Sequence, residues 1–168
     1  MTKERSRLEI TLILALLASL LSLALAFIAQ YVFGLAPCEL CLLQRVPYAL
    51  AIIMALCGLW KPRHGRWLLL LIGVAFLTGG GIASYHAAVE KHWVKGPSSC
   101  TDTQTHAVQS LDEFLKKINQ APVVACDQPQ WEFYGLTMAG MNALWSFALA
   151  AAIFVAMQQS RRKGGTHA

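Results

Sequence analysis

Charged residues are scarce in this sequence. Asp, Glu, Lys and Arg make up 14% of the 168 residues, whereas hydrophobic residues make up 56%. A soluble domain has about 25% charged residues, so the composition excludes an ordinary soluble domain and predicts one small integral membrane domain. The net charge of +5 does not indicate nucleic-acid binding, because the basic residues lie in short clusters between or beyond apolar runs, where they set membrane topology.

Four apolar stretches are long enough to cross a membrane as helices, since about 20 residues span the roughly 30 Å hydrocarbon core. The predicted spans are residues 10–29, 42–60, 67–89 and 134–157. In the last span, Asn142 and Ser146 are expected to face other helices, because a lone polar group in lipid is costly. The expected fold class is an all-α membrane protein with four transmembrane helices.

The first stretch has a rival interpretation as a cleaved signal peptide. Residues 3–7 carry three basic side chains, and residues 24–26 (ALA) resemble a cleavage site. The apolar region of a signal peptide is about 7–15 residues long, whereas this stretch continues past the site to Ala29. We therefore predict a membrane span.

The distribution of Lys and Arg predicts the orientation of the spans. The N-terminus, the turn at 61–66 and the C-terminal end carry three each, which is nine of the fourteen. The loop at 30–41 carries none, and residues 90–133 carry four Lys against six acidic residues. By the positive-inside rule, we expect both termini and the short turn in the cytoplasm and both of these loops outside.

The second outer loop is long for a connection, which usually marks a functional loop. Apolar residues recur in it at helical spacing: Val108, Leu111, Phe114, Leu115 and Ile118. This pattern predicts a short amphipathic helix, which either lies flat on the bilayer or packs on the protein's own loops. The sequence has no internal repeat and no low-complexity segment.

Five cysteines divide by their predicted positions. Cys38, Cys41, Cys100 and Cys126 fall on the outer side, where disulfides persist in bacteria. Cys57 lies inside span two and is expected to be an inert, buried thiol. The four outer cysteines admit three pairings, of which the two-residue spacing favours Cys38 with Cys41, leaving Cys100 with Cys126.

The Cys-x-x-Cys spacing favours redox chemistry over two alternatives. A ring between Cys38 and Cys41 constrains little loop entropy but suits thiol–disulfide exchange, and the start of a helix favours a thiolate. Structural disulfides in the outer loops are the first alternative. Zinc binding is the second, but Cys100 and Cys126 do not form the second close pair that it needs, so no metal site is predicted.

Arg45 introduces a charge into the first turns of span two. It lies four residues after Cys41, so the two side chains share one helix face. A charge within a membrane span is a candidate functional residue. A compatible alternative is an arginine that reaches the outer headgroups.

Two motifs carry a resemblance to a known family. Residues 37–48 read PCELCLLQRVPY, and Cys126-Asp127 is followed at 130–138 by QWEFYGLTM. With four spans and a second cysteine pair in the outer loop, this pattern resembles the bacterial disulfide bond formation protein B family, DsbB, over most of the chain.

The resemblance implies a four-helix bundle in the bacterial inner membrane, with ubiquinone, or alternatively menaquinone, near the outer end of span two. A periplasmic thioredoxin-fold oxidase of the DsbA type would attack the loop disulfide at Cys100. Electrons would pass through a transient Cys38–Cys126 bridge to the Cys38/Cys41 pair, and Cys41 as thiolate would donate them to the quinone. The implied enzyme is a protein-dithiol:quinone oxidoreductase.

The same resemblance implies further residues at the quinone. Arg45 would lie close to Cys41, and by position His86 at the outer end of span three and Met138 at the start of span four resemble quinone-pocket residues. His92 is the rival of His86, because the placement depends on the alignment of a loop.

Two other functions compete with this interpretation. A DsbD-like carrier that moves reductant outward places its cysteines inside its spans, and here only Cys57 lies inside. A small membrane scaffold with structural disulfides would neither exchange with thioredoxin-fold partners nor bind quinone.

Overall fold

The computed structural model describes residues 2–97 and 125–164. Cys100 and the predicted amphipathic helix around residues 108–118 lie outside the described residues. The predictions that concern them therefore stay predictions.

Helices dominate the described part of the chain. They are α1 (Thr2–Tyr31), α2 (Glu39–Leu43), α3 (Arg45–Trp60), α4 (Gly65–Glu90) and α5 (Met138–Gly164), with a 3-10 turn at Pro62–His64. Within the described residues, four helical stretches are long and apolar enough to cross a membrane: Arg5–Tyr31, Glu39–Trp60, Pro62–Glu90 and Met138–Ser160. The prediction of an all-α protein with four transmembrane helices is confirmed.

The second span consists of two helices that meet at Gln44. Cys38 is the N-cap of α2 and has an extended backbone, with φ −75° and ψ 172°. Pro47 lies in the first turn of α3 and has no N–H to donate to the carbonyl of Leu43, which favours a break between the two helices. As a result, a single helical turn carries Cys41 at the mouth of the span.

The helix of span four begins later than the predicted residue 134. Residues 132–137 form a short antiparallel hairpin with strands β1 (Glu132–Phe133) and β2 (Leu136–Thr137). Its turn residues Tyr134 and Gly135 have φ values of 49° and 79°, a left-handed conformation that a right-handed helix does not contain. The helix therefore starts at Met138.

Helix α4 packs on both α3 and α5, and α1 packs mainly on α3. All four spans contribute buried residues to the apolar core: Leu12, Ala15, Tyr48, Ala51, Ala55, Leu69, Ile72, Phe76, Ala150 and Ile153. Ala51 and Ala55 lie one turn apart on α3 and are fully buried. Small residues such as these let membrane helices approach closely.

The outward-facing surface of the spans is also apolar. Only 17% to 39% of the most apolar window of each span is buried inside the protein, and Leu14 and Ile53 are 60% and 58% exposed. A surface of this kind suits lipid rather than water. Cys57 lies on it, so the prediction of a buried thiol is wrong, because a bundle buries only one side of each helix.

Gly79 lies where α3 and α4 approach each other closely. A Cβ at this position would be 3.2 Å from the Cβ of Pro47 on α3, which is closer than the optimal carbon separation of about 3.5–4.0 Å. Gly81 is exposed, and a Cβ there would have no atom of another described element within 4 Å. The two glycines therefore form a matched pair for testing the contact.

We predict that Gly79→Leu lowers the free energy of unfolding by about 1–3 kcal/mol, because the longer side chain forces α3 and α4 apart. Gly81→Leu directs the same side chain outward and should raise stability by up to about 1 kcal/mol, because leucine favours a helix more than glycine does. Thermal unfolding in detergent micelles, followed by far-UV circular dichroism, compares the variants. Equal stability of the two would show that this contact tolerates a large side chain.

Candidate functional site

Cys38 and Cys41 form the centre of the candidate site. The Cys38 Sγ caps α2 by accepting the backbone N–H of Cys41 at 3.3 Å. Both residues are thiols in this structure, and Cys38 donates its S–H to the Sγ of Cys41 at 2.9 Å. The first turn of the helix thus holds the two sulfurs next to each other, so that a disulfide between them can form and open during exchange with another thiol.

Cys38 is the member of this pair that keeps its proton when the reduced pair loses one. The pKa of the Cys38 thiol is raised to about 12, mainly by its hydrogen bond to Cys41 and next by burial. His86 acts in the opposite direction and lowers this pKa. Ionisation would remove the donated hydrogen bond and would leave a poorly hydrated charge. The negative charge of the reduced pair is therefore favoured on Cys41.

We predict that Cys38 in the reduced protein resists alkylation at pH values at which Cys41 reacts. The thiolate is the nucleophile, and a pKa of about 12 leaves on the order of 10⁻⁴ of Cys38 ionised at about pH 8. Iodoacetamide treatment over a range of pH, followed by peptide mass spectrometry, measures the two rates separately.

Cys41→Ala is the matched variant for this experiment. It removes the acceptor of the Cys38 S–H and keeps a residue that favours helix, so Cys38 should begin to react at lower pH. An unchanged Cys38 profile in this variant would show that burial alone protects the thiol.

Cys126 lies against the pair although it is distant in sequence. It is 1% exposed and belongs to one buried cluster with Cys38, Leu40 and Val89, against which Cys41 also packs. The spacing of the residues placed Cys126 only in a loop on the same side of the membrane, whereas the family resemblance implied a transient bridge between Cys126 and Cys38. The structure brings it to the pair itself.

Two polar contacts hold the segment that carries Cys126. Gln130 donates from Nε2 to the carbonyl oxygen of Ala36, just before α2. Lys91, which follows α4, forms an ion pair of 2.9 Å with Glu132. The segment is thereby attached at the start of one span and at the end of another.

His86, near the C-terminal end of α4, also lies at the pair. Its Nε2 is 3.5 Å from the Cys38 Sγ and 3.7 Å from Oε1 of Glu90, and its Nδ1 is 2.7 Å from Nε2 of Gln44. His92 is exposed in a left-handed conformation after α4. Of the two rival histidines, the structure therefore places His86 beside the cysteines.

A set of buried and half-buried polar side chains behind His86 was predicted only in part. Asn142 donates from Nδ2 to Oε1 of Gln44 at 2.6 Å, and the Tyr48 hydroxyl donates to Oδ1 of Asn142 at 2.7 Å. Tyr48 and Ser146 share a further hydrogen bond of 2.8 Å. The prediction that Asn142 and Ser146 face other helices is confirmed.

The sequence does contain a signal for this set. Polar residues recur four positions apart in three apolar spans, at 44 and 48, at 86 and 90, and at 142 and 146. Residues at this spacing lie on one face of a helix. Three such faces within apolar spans indicate that the helices turn these residues toward one another.

The cysteine pair opens onto a cavity of about 510 Å³. Its wall is mainly apolar, as is typical of small-molecule sites, and includes Leu21, Leu25 and Ala29 of α1. Cys38 and all four residues implied at the quinone line this cavity: Cys41, Arg45, His86 and Met138. The structure thus brings these residues together around one space.

Arg45 is held against α1 rather than standing alone. Its Nη1 donates to Oε1 of Gln30 at 2.7 Å, and its guanidinium carbon is 5.0 Å from the centroid of the Phe27 ring. A cation over an aromatic ring is stabilised electrostatically.

Met138 is 39% exposed at the first position of α5.

Cys38, Cys41 and His86 also bring three atoms of metal-binding type within 4.8 Å of one another. Structural zinc sites use four ligands, whereas this group in the described residues offers three. The arrangement in the described residues therefore fits a redox dithiol better than a structural zinc site.

Comparison with known proteins identifies the family. The family model described as disulfide bond formation protein DsbB matches residues 7–156. The chain belongs to the DsbB family. The resemblance seen in the sequence is thereby confirmed, and this DsbB-family chain is a membrane protein of disulfide bond formation.

Individual relatives agree with the family match. Disulfide bond formation protein B of Actinobacillus pleuropneumoniae is 31% identical over 157 residues, covering 90% of this chain and 86% of the relative. That of Xylella fastidiosa is 30% identical over 147 residues, covering 84% and 85%. An uncharacterised protein of Rickettsia prowazekii is 26% identical over 148 residues, covering 87% and 86%. No solved structure matches the chain.

Proposed function

We propose that the protein is a quinone-dependent thiol oxidoreductase that reoxidises a periplasmic DsbA-like dithiol oxidase and passes the electrons through two cysteine pairs to ubiquinone. One observation carries this proposal: the Cys38/Cys41 pair lies between a third buried cysteine, Cys126, and an apolar cavity of about 510 Å³. The cysteine offers a route for electrons to enter, and the cavity offers a site for their acceptor.

Electrons enter through the loop pair in the proposed reaction. A thiolate of the reduced partner attacks Cys100 in a Cys100–Cys126 disulfide, which breaks and leaves Cys126 as a thiolate. This thiolate attacks Cys38 in a Cys38–Cys41 disulfide, so that a Cys38–Cys126 bond forms and Cys41 leaves as a thiolate. The burial of Cys126 against Cys38 supports this step.

A second set of exchanges restores the loop disulfide. The partner's other thiol attacks the mixed disulfide, releasing the partner in its oxidised form and leaving Cys100 as a thiolate. Cys100 then attacks Cys126, and Cys38 leaves and takes up a proton. Two electrons have then moved from the partner dithiol to Cys38 and Cys41.

The residues around the cavity fit a quinone head group. Such a ring is flat and largely apolar, with two carbonyl oxygens, and the wall combines apolar side chains with the polar groups of Gln44, Arg45 and His86. When bound, a quinone accepts two electrons and two protons. Cys41 provides the thiolate, Cys38 provides the sulfur that closes the disulfide, and Arg45 provides positive charge where negative charge develops.

We infer that the site faces the periplasm and that both termini are cytoplasmic. The cysteine pair lies before α3, and His86 lies near the end of α4, whereas the turn joining these helices carries three basic residues at 61–66. The positive-inside rule assigns this turn to the cytoplasm. The opposite end of the bundle then meets the compartment in which disulfides form.

A reconstituted assay tests the proposed function. Purified protein mixed with a reduced DsbA-like partner and a soluble ubiquinone analogue should consume oxidised quinone catalytically, as followed by quinone absorbance. Cys41→Ser should abolish this reaction, because it removes the thiolate. Cys57→Ala is the matched control and should keep full turnover, because Cys57 lies on the exposed surface of α3. Absence of turnover by the unmodified protein would favour a scaffold with structural disulfides.

Arg45→Met should slow quinone reduction more than it slows oxidation of the partner, because Arg45 lines the cavity and the partner attacks at Cys100. A hydrogen bond to a charged group contributes about 1.5–3 kcal/mol, which corresponds to a roughly 10- to 150-fold slower reduction. Single-turnover quinone reduction and oxidation of the partner by pre-oxidised protein measure the two rates.

Arg45→Lys serves as the control because it keeps the positive charge. It should retain more of the quinone reduction rate than Arg45→Met. If partner oxidation falls in Arg45→Met while quinone reduction does not, Arg45 does not act at the quinone.

A further inference from the structure

A chain of hydrogen bonds runs from the interior of the bundle to the cysteine pair. Its members are, in order, Tyr48, Asn142, Gln44, His86, Cys38 and Cys41. The successive distances between the bonded atoms are 2.7, 2.6, 2.7, 3.5 and 2.9 Å. These residues belong, in the same order, to α3, α5, the turn at residue 44, α4, the N-cap of α2 and α2 itself.

The amide groups give this chain a direction. Because the Tyr48 hydroxyl donates to Oδ1 of Asn142, the Nδ2 of Asn142 faces Oε1 of Gln44. Gln44 then presents its Nε2, which can only donate, to Nδ1 of His86. A neutral imidazole whose Nδ1 accepts a hydrogen bond carries its proton on Nε2.

Glu90 favours the same direction. In the reversed chain, Nε2 of His86 would be an acceptor and would turn a lone pair toward Oε1 of Glu90, 3.7 Å away. Glu90 is buried, so little water screens its carboxylate from a group on Nε2 of His86. A lone pair is repelled by a carboxylate oxygen at this distance, whereas an N–H is attracted to it, so a proton on Nε2 suits this neighbour better than a lone pair does.

The direction of the chain affects the two sulfurs differently. The Nε2 of His86 faces the Cys38 Sγ, and Cys38 donates its own S–H to Cys41. Every donor in the chain therefore points toward Cys41. Since linked hydrogen bonds polarise one another, the sulfur at the end of the chain is the one favoured to hold negative charge.

We propose that Gln44, oriented by Asn142 and Tyr48, is a positioning residue that holds His86 in the Nε2–H tautomer and thereby keeps the thiolate of the reduced pair on Cys41. The proposal rests on the proposed function in one respect, because it concerns the sulfur that would reduce the quinone. The tautomer and the position of the charge are measurable without partner or quinone.

The tautomer of His86 is measured by two-bond ¹⁵N–¹H correlation spectra of reduced, ¹⁵N-histidine-labelled protein in micelles at about pH 8. Spectra of a His86→Asn variant identify the His86 signals by their loss. Wild-type His86 should show a proton on Nε2 and none on Nδ1. Gln44→Leu removes the donor to Nδ1 and should produce a mixture of both tautomers.

Tyr48→Phe tests the chain from its far end. It removes the hydroxyl that orients Asn142 and keeps a ring to pack on Phe76, whose centroid is 5.7 Å from that of Tyr48. A partial shift toward the Nδ1–H tautomer is expected. Ser19→Ala is the control, because it removes a buried hydroxyl whose hydrogen bond among the described residues stays within α1, at the Ala15 carbonyl, and it should leave the His86 signals unchanged.

Alkylation of Cys41 in the same reduced proteins reports where the negative charge lies. Loss of one hydrogen bond in the chain corresponds to a roughly 2- to 10-fold slower reaction of Cys41 in Gln44→Leu, with no change in Ser19→Ala. An Nδ1–H tautomer or a doubly protonated ring in the wild type overturns the proposal, and so does unchanged Cys41 reactivity in Gln44→Leu. Failure of quinone turnover in a protein that shows the Nε2–H tautomer would contradict the proposed function alone.

Discussion

A polar side chain within a membrane span has to find its partners inside the protein, and this constraint organises the bundle. Three spans each carry a pair of polar residues at a spacing of four, and these pairs face one another instead of the apolar outer surface. Apolar packing alone tolerates small rotations of a helix, whereas hydrogen bonds between amides, a hydroxyl and an imidazole do not. The polar contacts therefore set how α3, α4 and α5 are rotated.

The redox pair depends on a short piece of helix in front of this bundle. The break at Gln44 separates a single turn, α2, from the long helix behind it. Cys38 occupies the N-cap position, where an oxygen of Ser, Thr or Asp is more usual. The same sulfur thus accepts a backbone N–H at the start of the helix and takes part in the proposed exchange.

Much of the fold was predictable because its signals are local. Apolar runs of about 20 residues indicate spans, and the spacing of Cys38 and Cys41 indicates a pair whatever surrounds it. The start of α5 was misplaced because hydropathy does not detect the left-handed turn at Tyr134 and Gly135. A continuous apolar stretch therefore indicates that a span exists but does not show at which residue its helix begins.

The arrangement of the site was harder to predict for a different reason. In a soluble helix, polar residues mark the outer face, but here both faces are apolar, so periodicity does not show which side is buried. Cys57 was assigned to the wrong side for this reason. The contacts of His86 with Cys38 and of Gln44 with Asn142 depend on these rotations, and residues so distant in sequence cannot be paired from one chain alone.

The anchored segment of Cys126 has a kinetic consequence. Gln130 and Glu132, shortly after Cys126, tie this segment to the start of α2 and the end of α4. A sulfur held in this way meets Cys38 at an effective concentration of about millimolar or more, far above that of dissolved thiols. In the proposed reaction, exchange between the two pairs is then a unimolecular step whose rate does not depend on partner concentration. Small thiols in the surroundings would compete poorly with this step, so the proposed reaction would keep its electrons within the protein.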